Sequence, residues 1–197
     1  PTGYGDSPYQ SFSTFAGNPY FIDLEELIQR DLLTAAECAE CDWGGSKSYV
    51  DYEKVYLSRF SLLRKAYRRF YQMDGKEKEL QLIREEMEAF VKEQGFWLAD
   101  YCLYMAVKDS LDGISWNQWP EDLKTRKPEA LAKAREELKE DISFYAFQQF
   151  WFYRQWSRLK KYANDRGIKI IGDLPIYVAF DGADAWANPD LFQFDEE

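Results

Sequence analysis

Three neighbouring residues near the start of the chain, Asp6, Ser7 and Tyr9, have side chains suited to binding a sugar. The carboxylate and the hydroxyl can hydrogen-bond to sugar hydroxyls, and the aromatic ring can stack on the C–H face of a sugar. Pro8 fixes its own backbone and favours extended geometry at Ser7, so these side chains belong to a shaped segment. The pattern predicts a binding surface in this loop.

A second candidate, Asp173, lies far along the chain in an apolar segment. Residues 168–178, IKIIGDLPIYV, follow Gly167 and are rich in β-branched side chains, which predicts a buried strand of a parallel sheet. Because an unpaired carboxylate is costly to bury, two interpretations stay open. In the first, Asp173 is a functional residue at the carboxyl end of a barrel strand. In the second, it is a structural aspartate that is hydrogen-bonded to backbone amides or paired with an arginine. Asp181 and Asp184 follow in a loop, where we expect their side chains to stabilise turns.

Histidine is absent from all 197 residues. This absence excludes Ser–His and Cys–His nucleophile pairs, a histidine general base and histidine metal ligands within the chain. The three cysteines, Cys38, Cys41 and Cys102, cannot complete a four-cysteine zinc site. Cys38 and Cys41 have the spacing of a redox pair, but no strand-to-helix context precedes them, so we favour packing of Cys38 on a short helix.

The composition restricts the class of partner. The net charge is −10, which disfavours nucleic acids and anionic membrane surfaces, because both are bound through Lys and Arg. No apolar run approaches the ~20 residues needed to span a bilayer, and no signal-peptide pattern is present. With 46% hydrophobic residues, the chain can bury one sizeable core. We therefore expect a cytoplasmic protein with neither a nucleic-acid nor a membrane partner.

Most of the remaining chain has helical patterns that would hold the candidate residues in place. Capping signals and apolar spacing predict helices that start at Asp23 and at Thr34, and that cover residues 55–73, 77–93 and about 97–111. We expect Gly95 to end the 77–93 helix and Pro128 to begin another. Asp141 is expected to cap a long helix to about residue 165. Because that helix is apolar on most sides, it should lie between other elements.

Motifs at both ends of the chain closely resemble one family, the 4-α-glucanotransferases (amylomaltases or disproportionating enzymes) of glycoside hydrolase family 77. At the start these motifs are PTGYGDSPYQSFS (1–13) and AGNPY (16–20), and at the end they are GDLPIYVA (172–179) and AWANP (185–189). Shorter motifs between them agree in order, namely VDY (50–52), WLADY (97–101), WNQWP (116–120) and YANDRG (162–167). The resemblance therefore covers essentially the whole chain.

The resemblance implies an α/β fold, a partial (β/α)8 TIM barrel with a large, mainly helical insertion. The chain would begin just after barrel strand 2 and end just after strand 3. Residues 1–23 would then be a substrate-binding loop, 24–140 the helical insertion subdomain, and 141–197 a barrel helix, strand 3 and the loop that follows. We expect a fragment, since the chain starts without methionine and stops soon after the strand pattern.

The activity that the resemblance implies is transfer of an α-1,4-glucan segment to the 4-hydroxyl of an acceptor sugar, with retention of configuration. Retention requires two carboxyl groups about 5 Å apart, one as nucleophile and one as acid/base. In the family these groups follow on strands 4 and 5, the nucleophile in an Arg-x-Asp motif. We therefore expect no catalytic residue in this chain and no activity of the chain alone. The alternative is a non-catalytic glucan-binding module.

The resemblance also implies six substrate-binding residues, namely Tyr4, Asp6, Ser7, Tyr9, Tyr52 and Asp173. Tyr9 would stack on the glucose at the cleavage point, and Asp173 would hydrogen-bond to the hydroxyls of that glucose. Tyr4 would belong to a second glucan-binding groove, which Tyr52 would join. The implied partners are maltooligosaccharides or longer α-1,4-glucans and a glucose acceptor, and no cofactor or metal is expected.

Overall fold

The computed structural model describes Thr2, Gly5 and residues 7–72, 77–173 and 176–194, and its regular structure is helical. The α-helices are α1 (Leu24–Gln29), α2 (Ala35–Ala39), α3 (Tyr52–Gln72), α4 (Glu77–Glu93), α5 (Gly95–Ser110), α6 (Glu121–Lys124), α7 (Pro128–Glu137), α8 (Lys139–Asn164) and α9 (Ala183–Ala187). Short 3₁₀ turns cover Pro19–Phe21, Trp116–Gln118 and Pro189–Leu191. The predicted helical majority is therefore confirmed.

The predicted helix starts at Asp23 and Thr34 are confirmed by their hydrogen bonds. The Asp23 carboxylate accepts from the Glu25 backbone N–H at 2.9 Å. Thr34 and Glu37 form a reciprocal capping box at the start of α2. Arg69 of α3 donates to both carboxylate oxygens of Glu37, at 2.7 and 2.8 Å. These bonds lower the pKa of Glu37 to about 2 and join the short helix α2 to the long helix α3.

The predicted helix over 77–93 is confirmed, but two residues have other roles at helix ends than predicted. Gly95 is the first residue of α5, and only Gln94 separates it from the last residue of α4. Asp141 does not cap α8, because that helix already begins at Lys139. Asp141 instead lies in the first turn, where its carboxylate is 2.8 Å from the Arg64 guanidinium of α3. Pro128 begins α7 as predicted.

Helix α8 lies at the centre of the core. Eight consecutive residues, 144–151, are buried, so every side of the helix is covered over two turns. It contacts α3, α4, α5 and α7, and its rings pack edge-on or tilted against rings of α3 and α4. Its predicted position between other elements is confirmed. Each large side chain buried here contributes about 1.5–3 kcal/mol through the hydrophobic effect.

The strand predicted over residues 168–178 is not formed in the part of this segment that the structure describes, 168–173 and 176–178. Several of its apolar side chains face solvent, with Ile171 94% exposed and Ile176 85% exposed. A strand is stable only when its N–H and C=O groups pair with a neighbouring strand. No such neighbour exists among the described residues, and the expected partial barrel is therefore not observed.

A buried carboxylate, Glu26 of α1, connects the first helix to α8. Glu26 is only 6% exposed, and it accepts from Arg154 at 2.6 Å, from Arg158 and from Arg30 at 3.3 Å. Burial alone would raise the pKa of Glu26, but the hydrogen bonds and charges of Arg158 and Arg154 outweigh it and lower the pKa. The carboxylate is therefore ionised and holds three guanidinium groups together.

We predict that Glu26→Gln lowers the free energy of unfolding of the 197-residue chain by about 2 kcal/mol, because it removes the buried anion that three arginines share, although Arg154 and Arg30 keep ion pairs with Glu86 and Glu79. Urea unfolding followed by tryptophan fluorescence measures this loss. The exposed neighbour Glu25 provides the control, and Glu25→Gln should change stability by less than about 0.5 kcal/mol. Equal effects of the two substitutions would contradict the role of Glu26.

The contribution of Glu26 to the free energy of unfolding should depend on pH. A carboxyl group whose pKa is lower in the folded than in the unfolded state stabilises the folded protein at pH values above the unfolded pKa, here 4.5. This stabilisation is lost as the pH falls from 4.5 through the lower pKa of the folded state. The difference in stability between the wild type and Glu26→Gln should therefore be full at pH 7 and shrink below pH 4.5.

Candidate functional site

The structure brings together two residues that are 164 positions apart in the sequence. The Tyr9 hydroxyl donates a hydrogen bond to Asp173 Oδ2 at 3.0 Å. This bond to the carboxylate, and then its charge, raise the pKa of the Tyr9 hydroxyl, which therefore stays a donor. The Tyr9 side chain is 58% exposed. The pair thus presents an aromatic ring and a carboxylate side by side at the surface.

Ser7 shapes the turn that carries Tyr9. Its carbonyl oxygen accepts from the Gln10 N–H at 3.2 Å, and its hydroxyl oxygen accepts from the Tyr9 N–H at 3.3 Å. These bonds hold the backbone around Pro8 in a tight turn. Ser7 thereby supports the position of Tyr9 through the backbone.

Asp173 also lines an open cleft of about 470 Å³. One wall includes Ser11 and belongs to the loop over residues 1–23, called the opening loop from here on. The other wall consists of the α8 rings Phe152, Tyr153 and Trp156. A carboxylate beside aromatic surface and serine hydroxyls offers both stacking faces and hydrogen-bonding groups. These groups could stack on a sugar and hydrogen-bond to it, and the role of this loop in binding a sugar stays a prediction.

Tyr52 lies apart from this pair. Tyr52 is the first residue of α3, and its ring packs on Tyr20 with 6.2 Å between the ring centroids. Within the described residues, no hydrogen bond or ring contact links Tyr52 to Tyr9 or Asp173. Tyr4 and Asp6 lie outside the described residues.

Asp184, which the sequence assigned to turn geometry, holds the opening loop in place. Its Oδ1 accepts from the Ser13 hydroxyl at 3.0 Å, and its Oδ2 accepts from the Thr14 N–H at 2.7 Å and the Thr14 hydroxyl at 2.8 Å. Next to these contacts, the Ala183 N–H donates to the Phe12 carbonyl at 2.7 Å. Asp184 therefore fastens the loop that carries Tyr9 to the segment that follows Asp173.

Asp181 fastens the same segment to α5. Its carboxylate accepts from the Tyr104 hydroxyl at 2.6 Å, from Lys108 at 2.6 Å and from the Trp116 N–H at 3.3 Å. The Trp116 indole N–H donates to the Phe180 carbonyl at 2.7 Å. The sequence did not indicate that Asp181 and Asp184 position the candidate site. Their partners are about 65 to 170 positions away in the sequence, so no local pattern points to them.

Gly17 allows the opening loop to lie directly on α8. The side-chain amide of Gln149 accepts from the Gly17 N–H at 2.7 Å and donates to the Gly17 carbonyl at 3.1 Å. A Cβ at position 17 would be 1.9 Å from the Phe152 ring, so only glycine fits. Tyr153 adds a hydrogen bond to the Phe15 carbonyl. Side chains of α8 thus hold the backbone of the loop at Phe15 and Gly17.

The cysteines and acidic side chains of the described part of the chain form neither a metal-binding cluster nor a disulfide. No group of three Asp, Glu or Cys side chains there is arranged to hold a metal ion. Cys38, Cys41 and Cys102 are free thiols. Cys38 packs against the core from α2, as predicted, and burial raises the pKa of its thiol. None of the described helices combines the length and hydropathy that crossing a membrane requires.

Comparison with known proteins identifies the family of the chain. The family model described as 4-alpha-glucanotransferase matches residues 1–197. The chain is 45% identical to the 4-alpha-glucanotransferase of Clostridium butyricum over 196 residues, and 46% identical to that of Thermus thermophilus over 197 residues. Both matches include 100% of this chain but only 38% and 37% of the relatives.

A solved structure gives the same result for the fold. Amylomaltase from Streptococcus agalactiae, solved in complex with acarbose, is similar with a TM-score of 0.88 and 35% identity. The match covers 100% of this chain and 38% of that one. By the match of the family model over its whole length, the chain belongs to the 4-alpha-glucanotransferase family, glycoside hydrolase family 77.

Proposed function

We propose that this chain is the donor-side glucan-binding part of a 4-α-glucanotransferase. The longer enzyme would transfer α-1,4-glucan segments from maltooligosaccharides to the 4-hydroxyl of an acceptor such as glucose, with retention. The observation that carries the proposal is the Tyr9–Asp173 hydrogen bond beside an open, ring-lined cleft. The acarbose bound to the similar Streptococcus agalactiae amylomaltase supports a sugar as the ligand.

The proposed roles follow from the geometry of the pair. Tyr9 would stack on a glucose ring, because its own ring is largely exposed while its hydroxyl is fixed by Asp173. Only Oδ2 of Asp173 accepts from Tyr9, and among the described residues Oδ1 has no donor, so it would accept from a sugar hydroxyl. Ser7 and Asp6 would complete this side of the cleft, while Tyr4 and Tyr52 would belong to a separate glucan groove.

We also propose that residues 168–178 form strand 3 of a (β/α)8 barrel in the longer enzyme. The chain spans 38% of its Clostridium butyricum relative, and the exposed Ile171 and Ile176 are what a strand without its neighbours would show. Residues 1–23 would then follow strand 2, 24–140 would be the helical insertion, and 141–197 would contain the barrel helix and strand. A cytoplasmic location remains a prediction from composition.

Substitutions at Tyr9 test the binding role in the complete enzyme. Tyr9→Ala removes the stacking ring and should lower kcat/KM for maltotriose by about 100-fold, whereas Tyr9→Phe removes one hydrogen bond and should cost about tenfold. Tyr4→Ala is the contrasting variant, and should alter long-chain or cyclic products more than maltotriose turnover. Wild-type turnover of Tyr9→Ala would contradict the proposal.

Asp184→Asn tests whether the loop must be fastened for the site to work. The variant keeps the size of the side chain but weakens its bonds to Thr14 and Ser13. We expect amide hydrogen exchange at Thr14 to become about tenfold faster, and turnover by the complete enzyme to fall. Asp190→Asn, on the exposed turn that follows, is the control. Unchanged exchange at Thr14 would show that Asp184 does not hold the loop.

The 197-residue chain alone should not disproportionate maltotriose, because the proposed nucleophile and acid/base lie in the remainder of the enzyme. Chromatography of the sugar products, with the complete enzyme as positive control, measures this. Product formed by the chain would refute the proposed position of the catalytic pair. The encoding reading frame provides a direct test: an Arg-x-Asp motif beyond Glu197 supports the enzyme, whereas a stop codon there favours a glucan-binding module.

A further inference from the structure

A cavity of about 640 Å³, called the α4 cavity from here on, lies between α3, α4, α5, α7 and α8. Its inner surface is formed by six buried residues, namely Phe70, Met87, Leu98, Cys102, Leu103 and Ala146. It opens to solvent beside the exposed residues Val91 and Ala99. Because ligand cavities range from about 300 to 1,000 Å³, this one has room for a small molecule.

The buried part of the α4 cavity suits an apolar molecule. Within the described residues, no buried side-chain nitrogen or oxygen that lacks a partner lines it. Burial raises the pKa of the Cys102 thiol, which therefore stays uncharged. Phe70 is the one ring among the six inner residues, so a flat molecule has no pair of rings to stack between. The unbranched, adaptable side chain of Met87 can instead follow an alkyl chain.

The charged side chains at the edge of the α4 cavity are mostly cations. Arg84, Lys92, Arg135 and Lys139 line it, against the single carboxylate of Glu88. This excess of positive charge is opposite in sign to the net charge of the whole chain, which is −10. The edge of the cavity therefore favours an anionic group.

Two of these four cations are available to a ligand. Arg84 donates to a main-chain carbonyl of α3 at 3.1 Å, and Lys139 is 3.5 Å from the Glu136 carboxylate. Lys92 and Arg135 are exposed and form no ion pair with any described residue. A guanidinium can donate two parallel hydrogen bonds to a carboxylate. Arg135 is therefore the group best suited to hold a carboxylate at this edge.

Another open cavity, of about 930 Å³, lacks this combination. It lies beside Phe152 and Leu159 of α8, and its charged lining residues are Asp23, Glu26 and Arg158. Arg158 is already paired with Glu26. Apolar surface thus occurs in both cavities, but only the α4 cavity adds unpaired cations to it among the described residues.

We propose that the α4 cavity binds one free fatty acid, with the alkyl chain on the six inner residues and the carboxylate at Arg135 and Lys92. Burying the methylene groups removes apolar surface from water, and the two cations hold the anionic end. The proposal does not depend on the proposed function, because neither Tyr9 nor Asp173 lines this cavity.

Methyl NMR of the 197-residue chain tests the site directly. Met87 lines the α4 cavity, whereas Met105 lines a different one, so the two methionines report on the site and on the remaining core. With ¹³C-methyl methionine, titration with dodecanoate below its micelle concentration should shift the Met87 signal and leave Met105 in place. Decanoate should bind about tenfold more weakly, because it buries two fewer methylene groups. No shift at Met87 would overturn the proposal.

The charge of the ligand and of the cavity edge is tested separately. Dodecyltrimethylammonium has the same alkyl chain with a cationic end, and should bind at least tenfold more weakly than dodecanoate. Arg135→Gln should raise the Kd for dodecanoate about tenfold. Lys133→Gln removes the same charge from an exposed position of α7 outside the cavity, and should bind as wild type. Equal binding of both ligands, or equal effects of both substitutions, would refute the role of Arg135.

A substitution that fills the cavity provides an independent test. Ala99→Phe places a ring in the lining at an exposed position, so the fold should be retained, and it should abolish the shift of Met87. Ala89→Phe is the control, because Ala89 is also exposed but does not line the cavity. Wild-type binding by Ala99→Phe would show that dodecanoate binds elsewhere.

The complete enzyme shows whether the site persists beyond this chain. Calorimetric titration with dodecanoate should give a Kd within about threefold of that of the 197-residue chain. Binding to the chain but not to the complete enzyme would mean that the remainder covers the cavity, and would overturn the proposal. Tyr9→Ala should bind dodecanoate as wild type even if it impairs glucan turnover, so this proposal and the proposed function can fail independently.

Discussion

The complete burial of α8 over residues 144–151 is the constraint on which the rest of the structure depends. A helix that is covered on every side needs partners on every side, and the other long helices supply them. The same helix then organises its polar neighbours: Gln149 holds the opening loop at Gly17, and Arg154 and Arg158 hold α1 through Glu26. One helix thus determines where both the first helix and the opening loop lie.

A second set of polar contacts positions the segments that carry the candidate site. Asp184 fastens Ser13 and Thr14, and Asp181 fastens Lys108 and Trp116, so the segment after Asp173 is held from two directions. Each bond is modest by itself, at about 0.5–1.5 kcal/mol, or up to about 3 where a charge takes part. Acting together on two loops, they leave Tyr9 and Asp173 within hydrogen-bonding distance although neither residue is buried.

The sequence predicted what depends on neighbouring residues and missed what depends on distant ones. The capping box at Thr34 and the start of α7 at Pro128 were correct, because capping and proline geometry act within one turn of helix. The strand predicted over 168–178 is not formed in the described part of that segment, because β structure requires a partner strand that a local pattern cannot supply. Asp184 was assigned to a turn for the same reason, since its partners are 170 positions away.

The sequence predicted one contact of the candidate site. Tyr9 and Asp173 were predicted and do meet, because motifs at both ends of the chain pointed to the same family before any distance was known. Tyr52 was predicted for a separate glucan groove, and that role stays a prediction, since its ring at the start of α3 contacts Tyr20 and not the pair.

The contact between Asp184 and Ser13 also has a consequence for the order of folding. It closes a loop of 171 residues, so the chain loses much of its freedom before this hydrogen bond is gained. Proteins with such distant contacts fold slowly, and during synthesis the early segment must wait for the late one. The opening loop, though synthesised before the helices that follow it, would reach its working shape only after those helices have packed.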